Sequence, residues 1–503
     1  MAVVASPDME KAQDPIVQGP DAEAHTADER PTAFNQFDES YRTTRLEIWA
    51  YYAYYIGNNG LSLFNFAPTA FQNLLSQAAD DNGQLFIVLL CNGISFAIQV
   101  LVFLVIGSFA DFGTWRPNIL IGLSIIAYAI GFGWLGVHVA EKWHVGVGLY
   151  IVGLIAYQTT LTFWTAAFPG LVRNTLELRI KAEEYQSGSI SREEYDSADT
   201  MKRSQLANYA FYVQSVGELF ILVVIVGIMF RLKVDDSQAN NNWGLSVLIA
   251  FASGVWLLVS LPWFVLEKRR PSQDTGGRSI VVAGIKQIFV AVRQIWRLKQ
   301  SLLYLVGYFL LGDSLNTTVT VISTLQNSIV AYNTLQLSYL LIVGIAAQVH
   351  PPLPPPLSHL LSSTTNPLSA IIVLDLWGMI GIFTNRFGFH NTWEIWAYQA
   401  YYGLFVCPWY SYSQIMISEV TPRGHEFLFF SLFSIVGKTS SFIEPLVSSA
   451  IIDASESGNA SLPFYFLLGI SVLAAGGLGF WLDLGRSKRE QGVFSEKKLR
   501  EQK

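Results

Sequence analysis

Charged side chains are scarce in this sequence. Asp, Glu, Lys and Arg make up 14% of the 503 residues, whereas an ordinary soluble domain carries roughly 25%. Several stretches carry no charge at all, and each is long enough to cross a hydrocarbon core of about 30 Å as a helix. These stretches are residues 85–110, 118–140, 143–169 and 244–266. This balance excludes a soluble globular protein and predicts a chain embedded in a lipid bilayer.

The sequence also lacks the residue patterns from which metal and nucleotide sites are built. Both cysteines, Cys91 and Cys407, fall in apolar stretches, so there is neither a disulfide framework nor a metal-ligand spacing. A GxGxxG pattern begins at Gly131, but no strand precedes it, which favours close helix packing instead. Lys438 follows a glycine, but the upstream glycine of a phosphate-binding loop is replaced by Leu432. We therefore expect no cofactor, no metal, no ATP-driven pump and no enzyme.

Acidic residues are concentrated in the amino-terminal tail. The formal net charge is −6 at pH 7, and residues 1–46 are rich in Asp, Glu, Ala and Pro. This composition predicts a disordered tail and does not point to a nucleic-acid partner.

Apolar spans make up most of the remaining chain. A span in lipid must be helical because its backbone amides find no water to bond. The predicted fold class is an all-α membrane protein with about 12 transmembrane helices in two six-helix halves. The spans are predicted at 49–75, 85–109, 118–139, 144–168, 208–230, 244–266, 301–326, 335–349, 369–384, 393–418, 428–452 and 463–482. The predicted domains are a disordered cytoplasmic tail (1–46), an N-terminal bundle (47–267), a basic cytoplasmic linker (268–300), a C-terminal bundle (301–484) and a cytoplasmic tail (485–503).

The distribution of Lys and Arg predicts the orientation of the chain. Cytoplasmic loops retain positive charge, and with both termini inside only Lys142, Arg231, Lys233 and Arg386 fall in loops on the opposite side. Lys438 falls within a span. The count favours cytoplasmic termini and an even number of spans.

A proline-rich segment interrupts the second half. Residues 350–356 read HPPLPPP, so the eighth and ninth spans are short, and proline cannot continue a helix interior. Either both helices are broken at this anomalous segment, residues 350–368, or a normal loop has been replaced by translated intron sequence. The absence of Lys and Arg from this loop favours the intron.

Polar side chains near the middle of the spans are candidates for a substrate or coupling site. A charge at the bilayer centre costs about 3 kcal/mol on insertion scales, so such groups line a pathway or pair internally. At 1.5 Å of rise per residue, the candidates are Asn58, Asn59, Gln158, Glu218, Asp313, Asn316 and Lys438.

Each candidate also has a structural interpretation. Glu218 and Asp313 are either protonated packing residues or carboxylates that couple transport to protons. In the second case burial would disfavour the ionised form of the carboxylate. Lys438 is predicted to pair with a carboxylate of its own or a neighbouring helix more readily than with substrate. Gln158 is as well placed to bond across helices as to contact substrate.

The loop after the second span resembles the signature of the major facilitator superfamily between helices two and three. Residues 107–116 read GSFADFGTWR, although Pro117 stands where basic character would continue. In that superfamily the acidic residue interacts with the start of helix eleven, where the helix dipole favours an anion. The resemblance implies a latch that holds the two halves in one state of an alternating-access cycle. The predicted latch residues are Gly107, Asp111, Gly113, Arg116, Glu419, Arg423 and Glu426.

A second stretch carries a more specific resemblance. Residues 418–432 read SEVTPRGHEFLFFSL, and Gly437, Lys438 and Pro445 follow. This stretch is similar to the loop before helix eleven in the fungal autophagy-related vacuolar amino-acid effluxers, the twenty-second member of the autophagy-related series. The resemblance covers most of residues 45–485 and fails at the proline-rich segment.

That resemblance implies a multi-pass protein of the vacuole membrane that releases amino acids to the cytosol after autophagic breakdown. The expected partners are the lipid bilayer, a small-molecule substrate such as a neutral amino acid, and protons as a coupling ion. Asp313 and the Asn58–Asn59 pair are the expected contacts of a zwitterionic substrate. Two alternatives stay open: a facilitator that exports drugs or sugars at another membrane, and a transport-dead membrane receptor or scaffold.

Overall fold

The computed structural model is built of helices. It describes residues 37–78, 81–106, 109, 114–270, 279–331, 333–348, 365–407, 409, 413, 416–417, 420–421, 432–433, 436–437, 443–455 and 459–501. In this part of the chain there is no strand. The α-helices are α1 (Arg45–Gly57), α2 (Ala67–Ala78), α3 (Asp81–Ile106), α4 (Arg116–Gly133), α5 (Trp143–Thr165), α6 (Phe168–Arg173), α7 (Leu176–Gln186), α8 (Arg192–Leu232), α9 (Gln238–Leu266), α10 (Ile280–Ile295), α11 (Lys299–Ile329), α12 (Thr334–Gln348), α13 (Thr365–Phe383), α14 (Thr392–Tyr401), α15 (Ile443–Asp453), α16 (Pro463–Trp481) and α17 (Leu484–Glu501).

Many of these helices have the length and composition of membrane spans. Among the described residues, 7 helices are long and apolar enough to cross a membrane, and Thr334–Gln348 and Leu368–Phe383 are shorter apolar helices. Large apolar side chains point outward, such as Phe480 at 89% exposure and Val265 at 82%. In water such exposure would be costly, so lipid is the natural surrounding. The all-α membrane fold is confirmed, while the count of twelve spans stays a prediction.

The first span is not one continuous helix. Helix α1 is capped by Thr44, whose hydroxyl accepts a hydrogen bond from the backbone of Glu47 at 3.2 Å, and it ends at Gly57. Gly60 then adopts a left-handed conformation with φ 95°, which glycine alone reaches at little cost. A π-helical segment, Leu61–Phe66, leads into α2. The break therefore lies within the first span.

The described helices have two large hydrophobic cores and a small third cluster of Leu89 and Ile452. One is built mainly from residues of α1 through α9 and the other mainly from residues between Ile295 and Leu478. Within the cores α1 packs on α9 and α11 packs on α16, while α3 packs on α15 and α8 on α12 across the boundary. The bundle boundaries stated above stay a prediction, but each half has its own buried centre.

One face of the molecule carries both ends of the described chain and the helix α7. We call it the tail face; it holds residues 37–44, α7, residues 267–270 and α17. There Arg270 binds the buried Glu47 through two nitrogens at 2.8 Å each, and Lys268 donates to the backbone carbonyls of Ser40 and Arg42. The opposite face, with the turn between α8 and α9, is called the far face. The ion pair and these hydrogen bonds hold the ends of the first and sixth spans together.

The fifth span is longer than the apolar stretch alone predicts. Helix α8 runs without interruption from Arg192 to Leu232. Ser191 and Glu194 form a reciprocal capping box at its start, which satisfies two backbone donors of the first turn. The charged segment that precedes the fifth apolar span is therefore partly a continuation of that helix.

Candidate functional site

The break in the first span places a buried amide in the centre of the N-terminal half. Asn58 is 1% exposed, and its backbone closes the last turn of α1 by bonding Tyr54 at 2.9 Å. Neither Oδ1 nor Nδ2 of its side chain has a hydrogen-bond partner among the described residues. Leaving such a group unpaired costs about 1–3 kcal/mol. An amide kept at that cost is a candidate ligand contact.

Asn59 has a local structural role. Its Oδ1 accepts a hydrogen bond from the backbone of Leu61 at 2.8 Å, which supports the turn at the break. Its Nδ2 has no partner within the described part of the chain. The two residues of the predicted pair therefore differ: Asn58 has a buried side chain without a partner among the described residues, whereas Asn59 stabilises the backbone turn.

Aromatic rings surround this break. Gly57 lies against Trp256, because a Cβ added to the glycine would come within 2.5 Å of the indole. The Tyr157 hydroxyl lies 3.0 Å from the corresponding position at Gly60. On the preceding turns Trp164 stacks on Tyr51 with centroids 4.2 Å apart and contacts Tyr55 at 4.6 Å. The aromatic faces provide apolar surface and an attraction for cations.

Glu218 lies where the two halves meet. It sits on α8, is 5% exposed and accepts a hydrogen bond from Gln214 one turn earlier. It also interacts electrostatically with Tyr55 of the first half and Cys407 of the second. Glu218 is therefore a predicted carboxylate that the structure brings near Tyr55, one of the aromatic residues of the first span.

The other described candidates lie on α11 and α5. Asp313 is buried at 1% exposure, and Asn316, one turn further along α11, is half-buried. Gln158 is half-buried on α5, the helix that also supplies Tyr157 and Trp164.

Most of the predicted latch lies outside the described residues. This applies to Gly107, Asp111, Gly113, Glu419, Arg423 and Glu426, and also to Lys438. Arg116 is described, and it bonds Glu267 at 2.7 Å and the carbonyl of Ala166 at 3.1 Å. Both partners belong to the N-terminal half, so a latch between the halves stays a prediction.

The structure shows a buried carboxylate that the sequence analysis missed. Asp375, on α13, is 0% exposed and accepts hydrogen bonds from Thr318 and Ser471 at 2.6 Å each. It is a lone acid within the predicted ninth span, so the depth criterion that selected Asp313 would have selected it too.

The described hydrogen bonds that join the two halves lie on the far face. Gln72 accepts from Asn327 at 2.5 Å and donates to Thr324 at 3.3 Å. Asn333 donates to Asp235 at 2.6 Å. Further pairs are Thr334 with Asn241, Asn92 with Thr320, and Ser449 with the carbonyl of Phe86. The far face is therefore closed in this structure.

Solved structures share this architecture. The inward-open conformation of the xylose transporter XylE from E. coli matches with a TM-score of 0.55 and 13% identity, covering 88% of this chain and 99% of that one. A point mutant of the nucleoside transporter NupG matches with a TM-score of 0.53 and 13% identity, covering 87% of this chain and 98% of that one. At these identities the likeness establishes the fold alone. The two buried bundles and the broken first span therefore define a membrane protein of the major facilitator fold.

Sequence relatives narrow this class. The family model described as "Vacuole effluxer Atg22 like" matches residues 86–492, and the chain belongs to that family. The Autophagy-related protein 22 of Yarrowia lipolytica is 24% identical over 457 residues, which span 79% of this chain and 75% of the relative. That of Kluyveromyces lactis is 24% identical over 465 residues, or 88% and 83%. The resemblance seen in the sequence is confirmed, and it assigns a multi-pass membrane protein to a vacuolar family.

Proposed function

We propose that this transporter releases neutral amino acids from the vacuole into the cytosol. The observation that carries the proposal is Asn58, a buried amide with both side-chain atoms unpaired among the described residues, set in a break of the first span. Family membership supports the direction, because the family model is described as a vacuole effluxer. The proposal names the substrate class and the site that holds it.

A neutral amino acid matches the chemistry around the break. Its carboxylate can accept a hydrogen bond from Nδ2 of Asn58. Its ammonium group can approach Glu218 and the face of Tyr55, since an aromatic face attracts a cation by about 0.5–2 kcal/mol. An apolar side chain can pack on Trp164. We prefer Glu218 to Asp313 as the anionic contact because Glu218 interacts with Tyr55 of the first half and Cys407 of the second.

The closed far face corresponds to one state of alternating access. In transporters built of two bundles, the bundles rock about a site near the bilayer midplane. If the tail face is cytoplasmic, as the Lys and Arg distribution predicts, the far face is lumenal. The described structure then corresponds to a state shut to the lumen, in which bonds such as Gln72 to Asn327 must break before lumenal substrate enters.

Substrate binding tests the proposal directly. A ligand that binds only the folded protein raises its unfolding temperature by mass action. Purified wild-type protein in detergent should unfold at a higher temperature with leucine, and Asn58→Leu should lose that shift. Asn118→Leu, which removes an amide bonded to Arg269 on the tail face, serves as the matched control and should keep it.

Two outcomes would overturn the proposal. A shift produced by xylose or a nucleoside and not by leucine would replace the substrate class. The absence of a shift with any small solute, from protein that unfolds cooperatively, would favour a membrane scaffold instead.

A further inference from the structure

A buried acid in the C-terminal half has a hydrogen-bonded environment unlike that of the other carboxylates. Asp375 accepts from Thr318 of α11 and from Ser471 of α16, each at 2.6 Å. Ser471 lies 2.9 Å from Ser314, which also bonds the carbonyl of Leu467 at 3.2 Å. The carboxylate therefore links three helices through hydroxyl groups.

The N-terminal half contains the same arrangement without the acid. Ser62 bonds Ser253 at 2.6 Å and the carbonyl of Ile249 at 3.1 Å. In both halves the carbonyl belongs to the residue four positions before the second serine. At the place where the third helix would contribute a carboxylate, Gly131 lies so close that an added Cβ would be 1.9 Å from Ser253 Oγ. The acid is thus a specific addition to one of two matching serine pairs.

No cation neutralises this carboxylate within the described part of the chain. Asp375 forms no ion pair there, and the side chains that bond it are the neutral hydroxyls of Thr318 and Ser471. Asp313 also lies on α11, but at 100° per residue it is turned away from the face shared by Ser314 and Thr318. The other titratable side chains described on the segments packed against α13 lie on α11, on α16 and on residues 384–407. They are Lys299, Tyr304, Tyr308, Arg386, His390, Glu394, Tyr398, Tyr401, Tyr402, Cys407 and Tyr465, and the ring of His390 lies 3.0 Å from the carbonyl of Gly381. Glu394 is held by the Trp377 indole and by backbone amides of residues 388–391.

The hydroxyl network can satisfy both protonation states of the acid. When Asp375 is ionised, Thr318 and Ser471 donate their protons to it. When Asp375 is protonated, it donates to Ser471, which turns its own proton towards Ser314, and Ser314 donates to the carbonyl of Leu467. The heavy atoms need not move in either case, because a hydroxyl both donates and accepts.

We propose that Asp375 is a proton-binding site that couples protonation to the packing of α11 against α13 and α16. Each molecule takes up one proton at this carboxylate. Because Asp375 is fully buried, it exchanges that proton with water only in a state where α11 has moved. This proposal rests on the proposed amino-acid efflux, because it names the proton as the coupling ion of that transport. The binding of the proton can nevertheless be measured without any transport.

Infrared difference spectroscopy of purified protein in lipid tests the site. Stepping between about pH 4 and about pH 9, which brackets the ordinary range of buried acids, should produce a band of a protonated carboxyl group. Asp375→Asn should lose one such band, while Glu218→Gln and Asp313→Asn should keep it. A spectrum unchanged in Asp375→Asn would overturn the proposal even if transport proved to be proton-driven.

The two serine pairs supply matched variants. Ser471→Ala removes a hydroxyl bonded to Asp375 and should move the frequency of the band, whereas Ser253→Ala, at the corresponding position of the other half, should not. If Asp375→Asn fails to fold, this pair still decides: equal spectra for the two serine variants would contradict the proposal. In transporting vesicles, Asp375→Asn should lose the effect of a pH gradient on leucine flux. Wild-type protein that shows the Asp375 band but carries no leucine would instead count against the proposed substrate.

Discussion

Each half of the molecule contains a hydrogen-bonded pair of serines, but the two pairs have different neighbours. In the N-terminal half Ser62 and Ser253 bond each other beside Gly131, and the pair only closes a tight helix contact. In the C-terminal half Ser314 and Ser471 bond each other beside Asp375. The first half instead has a buried amide without a partner among the described residues at Asn58, in the break of the first span. In the two proposals made above, the first half contacts the substrate and the second half binds the proton.

The largest expected effect concerns the buried ion pair at the tail face that joins the first and sixth spans of the N-terminal half. Arg270 and Glu47 are 7% and 1% exposed, and removing one partner of a buried pair costs about 3–5 kcal/mol. Arg270→Ala should lower the free energy of unfolding in detergent by that amount. Glu490→Gln in the C-terminal half, where Arg486 is 59% exposed, should cost about 0–1 kcal/mol. Similar losses in the two variants would remove this difference between the halves.

A smaller effect is expected at the serine pair of the first half. Gly131→Ala places a methyl group where Ser253 already lies, and such overpacking costs about 1–3 kcal/mol. Gly122→Ala on the same helix meets nothing within 4 Å and should stabilise the helix by up to about 1 kcal/mol. Thermal unfolding of the two variants measures the contrast. Equal stability would show that α4 and α9 are not in close contact at Gly131.

A substitution in the break of the first span should abolish transport without lowering the stability of the fold. Replacing Asn58 by Leu removes a buried unpaired amide, so the free energy of unfolding should stay constant or rise by about 1 kcal/mol. Transport of leucine should be lost in the same variant. A variant that is destabilised by several kcal/mol would show that the amide has a structural partner.

The smallest difference is expected when a serine of each pair is replaced and only the free energy of unfolding is compared. Ser62→Ala and Ser314→Ala each remove one hydroxyl from a buried pair, and each should cost about 1 kcal/mol. Denaturant unfolding would compare them. A much larger cost for Ser314→Ala would mean that the carboxylate network contributes to stability beyond the shared pair.

The sequence predicts the helices well because charge is excluded from lipid-facing segments. The charge-free stretches coincide with α3, α4, α5 and α9, and the GxGxxG pattern at Gly131 is indeed a close helix contact, not a nucleotide motif. The lone acid Asp375 was equally visible in the apolar ninth span, and the depth criterion applied to Glu218 and Asp313 would have found it.

Other features have no signal in a single sequence. The left-handed Gly60 and the π-helical segment arise from packing against Tyr157 and α9, which only the folded chain defines. The amides that close the far face, such as Gln72 and Asn327, look like any polar residue near the end of a span. The likeness between the two serine pairs depends on the spatial alignment of helices whose sequences differ.

Leucine flux measures the central claim most directly. Vesicles containing the purified protein, loaded with labelled leucine and made acidic on the side of the far face, should release leucine faster than protein-free vesicles. Asn58→Leu vesicles should release it no faster than the protein-free ones, with the same amount of inserted protein. Release from Asn58→Leu vesicles at the wild-type rate, or no release from wild-type vesicles, would contradict the account.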